Sequence, residues 1–333
     1  MARGVVGRAE RELLEIRAGV IMRTGLARFR LSGSGRIACL QGLVTCDVET
    51  PGDDSHQFGA LLDAKGMIVT LLWIFRLPDA LVVEVPGPAA PAVEELFARA
   101  LPPRLCHCEP EGAATASIGL YGATAGRVIA ATAGIAEPPA VGSLVRSRHA
   151  GAQLVVARIS ARGLDGFECL LDAASAPALA AAFAAAGAAP LSPALLEERR
   201  ILAGFPRLGA EIDEKTLPQE IRLDELGAVS YTKGCYLGQE TVARVHFRGH
   251  ANRHLWGVGF ERAPAALPVD LMDGGRRIGR LTSACWWEAG GCYAGLAVMR
   301  RETAPGAPVQ LADGSIGSVR ELPWEPATGG APA

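Results

Sequence analysis

The chain has 333 residues, of which 49% are hydrophobic and 5% are aromatic, and its formal net charge is −2. This length accommodates two or three domains around an aliphatic core, and the charge excludes a globally basic nucleic-acid-binding protein. The longest apolar run, residues 67–75, is far shorter than the roughly 20 residues that a bilayer span needs. The amino terminus lacks an apolar core of signal-peptide length. We therefore expect a cytoplasmic protein without a membrane partner.

The first part of the chain predicts an antiparallel sheet covered by helices. Gly66 closes the turn between two apolar, β-rich stretches, which is typical of a hairpin. Ser34 is placed to cap one helix, and Pro91 is placed to begin another. The predicted strands cover residues 28–31, 57–62, 67–75 and 81–85, and the predicted helices cover 37–43 and 91–101.

A second block of the same character follows Gly112. Its alanine-dense segment has high helix propensity, and Ser192 and Pro193 form a start signal for a further helix that Gly204 ends. Neither block alternates strictly between strand and helix, which excludes a doubly wound parallel sheet. The predicted strands cover 115–120, 153–159 and 166–171, and the predicted helices cover 173–186 and 193–202.

From His254 onward, short strands are separated by glycine turns, which predicts a small β-barrel or Greek-key sandwich of about 75 residues. The expected organisation is a first α+β module over 17–112, a second over 113–245 and a barrel over 250–325, with room for the first two modules to interleave. The Pro, Gly and Ala tail over 326–333 is expected to be disordered.

The eight cysteines are scattered without a CxxC pair, which excludes a disulfide framework and a closed zinc site. Three of the six histidines, His246, His250 and His254, would share a face if their segment were helical. Gly249 and the β-branched Val242 and Val245 disfavour that helix. No metal site is predicted.

Residues 233–240, KGCYLGQE, concentrate a cation, a thiol, a phenol, an amide and a carboxylate in eight positions. Gly234 and Gly238 flank Cys235 and are able to adopt positive φ angles, so the turn is suited to presenting the thiol. Lys233 is an electropositive neighbour that favours the reactive thiolate. The alternative is a surface turn that contains a small apolar cysteine.

These eight residues and the TVARVHFRG run after them resemble the signature of the YgfZ family. Members of that family are folate-binding relatives of the glycine-cleavage T-protein that support maturation and repair of iron-sulfur proteins. Three upstream runs occur in the family's order and extend the resemblance from about residue 25 to 325: LQGLVTCDVE (40–49), GALLDAKGMIV (59–69) and RILAGFPRLGAEIDEKTLPQE (200–220).

The resemblance implies an α+β, T-protein-like fold, with two ferredoxin-like or Greek-key modules and a carboxyl-terminal barrel around a central hole that holds tetrahydrofolate. It implies a monomeric folate-binding accessory protein whose partners are iron-sulfur clients or assembly proteins. Cys235 and Lys233 would form the functional thiol site. The residues expected to contact the folate are Glu168, Tyr236, Gln239 and Glu240, with a basic lip of Arg244, Arg248 and Arg253; a solvated position for Glu168 and for the lip is the alternative.

The chain departs from T-proteins where their chemistry takes place. Val69 and Thr70 occupy the positions of an aspartate pair, and Ala161 and Leu164 replace a tyrosine and a glutamate in the SARGLDGFE run over 160–168. A complete aminomethyl-transfer site is therefore not expected. Two other functions stay open: a one-carbon transferase of T-protein type, and an RNA-binding accessory protein that uses the basic lip.

Overall fold

Within residues 6–325, which this computed structural model describes, the chain forms two β-sheets, a closed six-stranded barrel and seven α-helices. The tail over 326–333, expected to be disordered, lies outside the described residues. No helix in the described part is both long and apolar enough to cross a bilayer.

The helices are α1 (Arg8–Ile16), α2 (Arg36–Gln41), α3 (Ala90–Ala100), α4 (Ala125–Thr132), α5 (Ala176–Ala185), α6 (Pro193–Leu202) and α7 (Gln239–Arg248). The strands are β1 (Gly19–Arg23), β2 (Leu26–Ser32), β3 (Ser55–Leu62), β4 (Ile68–Arg76), β5 (Leu81–Pro86), β6 (His107–Pro110), β7 (Thr115–Tyr121), β8 (Leu144–His149), β9 (Ala152–Ala161), β10 (Leu164–Asp172), β11 (Ala189–Pro190), β12 (Arg253–Phe260), β13 (Val269–Asp273), β14 (Arg276–Trp287), β15 (Cys292–Arg300), β16 (Pro308–Leu311) and β17 (Ile316–Arg320).

The first sheet has the order β3-β4-β5-β2-β6 and is antiparallel throughout. The predicted hairpin is confirmed, and Gly66 has a φ of 86° in its turn, a left-handed conformation that favours glycine. The predicted cap at Ser34 is wrong: Gly35 precedes α2, and no side chain caps that helix. The apolar faces of α2 and α3 pack on this sheet around Phe29 and Phe97.

The second sheet has the order β11-β1-β7-β10-β9-β8. Its strand β1 comes from the segment expected in the first module and pairs with β7 and β11 of this second sheet. The start and end signals of α6 are confirmed, because the Ser192 hydroxyl accepts from the Leu195 amide at 3.2 Å and Gly204 has a φ of 69°. Helices α4 and α5 cover one face through Ile129, Leu179 and Phe183.

The two sheets also contact each other directly. Trp73 and Phe75 of β4 pack against Ile159 of β9 and other apolar residues of the second sheet. His56 of β3 donates from Nε2 to the Arg158 carbonyl of β9 over 2.7 Å. This interface fixes the relative position of the sheets and forms part of the boundary of a central cleft.

The carboxyl-terminal barrel closes in the order β12-β15-β14-β13-β16-β17, which confirms the predicted barrel, although the short strand β13 was not predicted. Its outer face is attached to α6 by polar contacts. Arg200 donates from Nη2 to the Ser283 hydroxyl at 2.7 Å and from Nη1 to buried Glu211 at 3.0 Å. The hydroxyls of Thr282 and Ser283 donate to the same carboxylate. The α+β fold class with a terminal barrel is confirmed.

Candidate functional site

A cleft of about 370 Å³ lies between the two sheets, α6 and the segment over 205–208. Phe58, Trp73 and Phe205 give it large apolar walls, and Phe58 lies 5.0 Å from each of the other two rings, centroid to centroid. Trp73 and Arg162 also border a small inner recess that reaches Tyr121 and Glu168. Apolar walls with a few convergent polar groups are typical of a site for a planar organic ligand.

Glu168 lines the small inner recess, which shares Trp73 and Arg162 with the cleft, and β10 holds it in a buried position. The Tyr121 hydroxyl donates to Oε1, and the Arg23 Nε lies 3.6 Å from the same oxygen. Burial and the neighbouring carboxylate raise the pKa of Tyr121, so the hydroxyl keeps its proton for this bond. Oε2 is buried and has no hydrogen-bond partner among the described residues. The alternative of a solvated strand residue is therefore wrong.

Arg162 enters the same cleft from the turn between β9 and β10. Its guanidinium lies over the rings of Trp73 and Phe205, at 5.6 and 5.5 Å from their centroids. Its backbone has a φ of 60°, an uncommon left-handed conformation for a residue with a side chain. Burial, with Arg23 nearby, lowers its pKa. Backbone strain at such a position is a feature of ligand-binding sites, and here it accompanies a cation over two aromatic faces.

The other carboxylates that line the cleft already have cationic partners. Glu84 Oε2 accepts from Arg28 Nε at 3.0 Å, and Glu197 Oε1 accepts from Arg200 Nη2 at 2.8 Å. Thr70 is buried, and its hydroxyl donates to the Leu71 carbonyl at 3.0 Å, while Val69 packs against the core of the first sheet. The lining therefore presents no unpaired carboxylate in the described residues apart from the free oxygen of Glu168.

The signature turn lies before α7 and presents Cys235 at the surface. Gly238 has a φ of 81°, whereas Gly234 is not in the left-handed region, so one of the two glycines that flank the thiol has the predicted role. Tyr236 is buried in an apolar cluster, and its hydroxyl has no partner in the described part of the chain. Gln239 accepts from the Tyr236 amide at 3.4 Å, and Glu240 is exposed.

The Lys233 ammonium points into the protein rather than standing free beside the thiol. Nζ donates to the carbonyl oxygens of Gln41, Val44 and Cys46 at 2.7, 2.6 and 2.8 Å. It also lies 5.0 Å from the centroid of the Tyr236 ring. Burial lowers the pKa of Lys233 to about 8. The ammonium thus joins the 233–240 signature to the 40–49 run, two motifs that are far apart in sequence.

The basic lip is divided between two elements. Arg244 and Arg248 are exposed on α7, so the disfavoured helix is in fact present. It ends before Gly249, and its acidic first turn and basic last turn suit the helix dipole. Arg253 lies on β12, where Nη2 forms an ion pair with Glu220 Oε2 at 2.6 Å.

The three histidines of this segment do not share one helix face. His246 is on α7, stacked on Tyr231 with 3.6 Å between ring centroids, whereas His250 follows the helix and His254 is on β12. All three border one depression. The residues that the structure describes contain no group of three or more His, Cys, Asp or Glu side chains arranged to hold a metal ion.

The family model described as the GCVT N-terminal domain matches residues 5–231. The chain belongs to this family. Curated relatives carry the name tRNA-modifying protein YgfZ. The one from Sodalis glossinidius is 28% identical and covers 88% of this chain and 89% of its own, and the one from Vibrio atlanticus is 30% identical over 67% and 64%. The resemblance to YgfZ is thereby confirmed.

A solved structure gives the fold of this GCVT-family chain independently. The glycine cleavage system aminomethyltransferase T from Bartonella henselae superposes with a TM-score of 0.83 and 20% sequence identity, covering 95% of this chain and 89% of the other. The T-protein-like fold is therefore established.

Sequence reasoning found Glu168 but missed three residues that shape its surroundings: Arg23, Tyr121 and Arg162. Arg23 and Tyr121 come from neighbouring strands of the second sheet, and their proximity to Glu168 follows only from the pairing of β1 and β10 with β7. Arg162 is the one cation within the SARGLDGFE run, which was an available signal.

Proposed function

We propose that the protein binds a reduced folate in the central cleft and acts as a cytoplasmic accessory protein in the assembly or repair of iron-sulfur proteins. The observation that carries the first half is the buried, unpartnered Oε2 of Glu168. A pterin ring presents an amino group and a ring N–H along one edge, and a carboxylate accepts such donors well. A buried acceptor without a partner is costly, and a ligand donor removes that cost.

The walls of the cleft suit the rest of a folate molecule. Trp73 and Phe205 supply apolar faces for a flat ring system, and the Arg162 guanidinium lies over both of them. Arg207 also lines the cleft; it is half-exposed and suited to a carboxylate of the glutamyl group. An acceptor thus lies in the recess that adjoins the cleft, and a cation lines the cleft itself.

The same cleft argues against aminomethyl transfer, although the structural relative from Bartonella henselae is an aminomethyltransferase. Proton transfer at a folate nitrogen requires a group with a suitable pKa within hydrogen-bond reach. Thr70 supplies no carboxylate, Glu84 and Glu197 are held in ion pairs, and Glu168 is assigned to the edge of the pterin ring. We infer that the chain retains folate binding without this turnover.

The test of this half uses tetrahydrofolate and an aminomethylated carrier protein. The purified protein is expected to bind tetrahydrofolate, measured by quenching of tryptophan fluorescence, since Trp73 lines the cleft. It is expected to release methylenetetrahydrofolate no faster than an enzyme-free control. Sustained production above that rate would establish the transferase function instead.

The iron-sulfur half of the proposal rests on Cys235, an exposed thiol on a turn that two motifs of the chain fix in place. Its exposure allows contact with a sulfur species, a cluster or a client protein. Deletion of the gene in the source organism should lower the activities of several iron-sulfur enzymes. A wild-type copy should restore them, and a Cys235→Ser copy should not; full rescue by the variant would remove Cys235 from the function.

RNA binding is a second candidate because the curated relatives are named as tRNA-modifying proteins. Arg244 and Arg248 are exposed on α7 and are available for phosphate contacts. Direct binding of tRNA would show a steep fall in affinity with salt concentration, since each neutralised phosphate releases counterions. Absence of such binding in the purified protein would favour an accessory role that does not touch RNA.

A further inference from the structure

A second concavity, of about 700 Å³, lies on the outer face of the barrel beside the 207–213 loop. We call it the arginine groove, because five arginines line it: Arg207, Arg253, Arg277, Arg280 and Arg300. The carboxylates in its lining, within the described residues, are Glu211 and Asp213. Glu211 is fully buried and already accepts from Arg200, Thr282 and Ser283, and Asp213 lies 4.0 Å from Arg253. Three of the five arginines have carboxylate partners: Arg207 with Glu197, Arg253 with Glu220, and Arg277 with Asp270.

The strand register places three of these arginines on one face of the barrel. Arg253 of β12 lies directly opposite Arg300 of β15, and Arg280 of β14 lies opposite Val298, two residues before Arg300. Like charges directly opposite on paired strands are destabilising. Arg253 is paired with Glu220, whereas Arg280 and Arg300 form no ion pair among the described residues. The register therefore leaves Arg280 and Arg300 as two neighbouring cations on one face, whose mutual repulsion a bound anion would relieve.

The arginine groove adjoins the proposed folate cleft. Arg207 lines both of them, and its Nη2 lies 3.4 Å from Glu197 Oε1 in the lining of the cleft. A ligand whose ring system is held near Glu168 would leave the cleft at Arg207. Beyond Arg207, that ligand would meet the arginines of the barrel that line the arginine groove.

We propose that the arginine groove binds the γ-linked polyglutamyl tail of a folate whose pterin ring occupies the cleft. The inference rests on the proposed folate function and adds the polyglutamate form as the preferred ligand. Each γ-linked glutamyl residue carries one free carboxylate, so the tail is a flexible chain of evenly spaced anions. The planar guanidinium of arginine can donate two parallel hydrogen bonds to such a carboxylate. The connection through Arg207 favours a tail tethered in the cleft over an RNA backbone, and the net charge of −2 provides no extended basic field for RNA.

The experiment compares tetrahydrofolate monoglutamate with the pentaglutamate by calorimetry at low salt. The wild-type protein is expected to bind the pentaglutamate at least about tenfold more tightly, which corresponds to roughly 1.4 kcal/mol. That advantage should decline as salt is added, because the carboxylate contacts are partly exposed and screened. Arg280→Ala with Arg300→Ala should reduce the advantage to less than about threefold and leave monoglutamate affinity unchanged.

Two control proteins separate charge in the groove from charge on the barrel as a whole. Arg262→Ala with Arg276→Ala removes the same net charge from exposed barrel positions outside the groove lining and should keep the advantage. Arg280→Lys with Arg300→Lys should keep most of it. Loss of the advantage in the Arg262/Arg276 variant would contradict a local site.

The remaining outcomes distinguish this inference from the function on which it rests. Equal affinities of the wild-type protein for the two ligands would overturn the polyglutamate site and leave folate binding intact. Binding of neither ligand would overturn both. If a tRNA fragment binds the wild-type protein, displaces the pentaglutamate, and loses affinity in the Arg280/Arg300 alanine variant, then the groove is an RNA site and the inference is wrong.

Discussion

At the scale of single residues, Cys235 differs from the other seven cysteines in exposure. Within the described residues, Cys46, Cys106 and Cys169 are buried, and the remaining four are half-buried. Burial raises the pKa of Cys46 to about 12 and that of Cys106 to about 11. The thiolate is the reactive form of cysteine, so burial protects Cys46 and Cys106 from attack, whereas Cys235 is exposed.

We therefore expect Cys235 to be alkylated before the seven other cysteines under native conditions. Cysteine-resolved mass spectrometry over a time course measures the order directly. Cys235→Ser should change the free energy of unfolding by less than about 0.5 kcal/mol, because the side chain lies at a surface turn. Slow alkylation of Cys235, or early unfolding of the variant, would identify it as a packing residue.

The resemblance to T-proteins singled out Glu168, and the residue types of the 233–240 signature singled out Lys233, but neither revealed the surroundings of these side chains. A sequence does not show whether a glutamate on a strand is buried. The partners of Glu168, Arg23 and Tyr121, lie on strands far earlier in the chain. Lys233 was expected to act on its neighbour Cys235, yet its three acceptors lie about 190 positions earlier in the chain. An ammonium that is shielded from water must donate to acceptors within the protein. These acceptors are brought near it by the tertiary structure, so the local sequence does not identify them.

At the scale of elements, the start of α7 packs on the β3–β4 hairpin turn through two glycines. A Cβ at Gly238 would lie 2.5 Å from the Asp63 carbonyl oxygen and 2.9 Å from the Gly66 Cα. A Cβ at Gly66 would in turn lie 2.9 Å from the Thr241 Cβ. This contact fixes the position of the turn that presents Cys235.

Gly238→Ala should lower the free energy of unfolding by about 2 to 4 kcal/mol, because the left-handed backbone disfavours a side chain and the added Cβ meets backbone atoms. Gly234→Ala is the matched control. No heavy atom lies within 4 Å of its added Cβ, so a change below about 0.5 kcal/mol is expected. Chemical denaturation measures both, and equal losses would refute the packing role of Gly238.

Most elements were predictable because apolar periodicity and turn residues agree, as in the β3–β4 hairpin and α6. The sequence patterns did not predict α1, α4, β1, β6, β8, β11 or β13. Helix α7 was disfavoured because Gly249 and two valines were given too much weight. Gly249 follows the helix instead of interrupting it, and Val242 is fully buried against the apolar cluster that contains Tyr236. Burial in tertiary structure outweighs the small propensity cost of a β-branched residue.

At the scale of the whole molecule, His56 connects the two sheets that enclose the cleft. Its Nε2 donates to the Arg158 carbonyl, and its Nδ1 is buried without a partner in the described part of the chain. Burial lowers its pKa below the ordinary value of 6.5. The folded protein therefore favours neutral His56, whose contribution is fully present above pH 6.5 and is lost as pH falls toward the lower folded pKa.

Wild-type protein should accordingly lose more stability between pH 7.5 and 5.5 than the His56→Gln variant, by up to about 1.4 kcal/mol per pH unit of pKa depression. Urea denaturation at the two pH values measures the difference. His107→Gln, at an exposed position of β6, should retain the wild-type dependence. Identical pH dependence in wild-type protein and in His56→Gln would show that His56 does not couple the sheets to pH.

The arrangement of the whole molecule was expected from the resemblance to T-proteins rather than from composition or periodicity. Local patterns do not reveal that β1 leaves the first module and joins the second sheet, because strand partners are chosen by packing over long sequence separations. The central cleft depends on that exchange, since Arg23 of β1 reaches Glu168 through it.

The central claim is that Glu168 recognises a reduced folate, and the affinity of Glu168→Gln for tetrahydrofolate tests it most directly. The amide cannot provide a charged acceptor, so we expect a loss of about 1.5 to 3 kcal/mol, or roughly 10- to 100-fold in Kd. Glu109→Gln, an exposed change on β6, should bind like the wild-type protein, and thermal melts of both variants confirm folding. A folded Glu168→Gln protein with wild-type affinity would contradict the account.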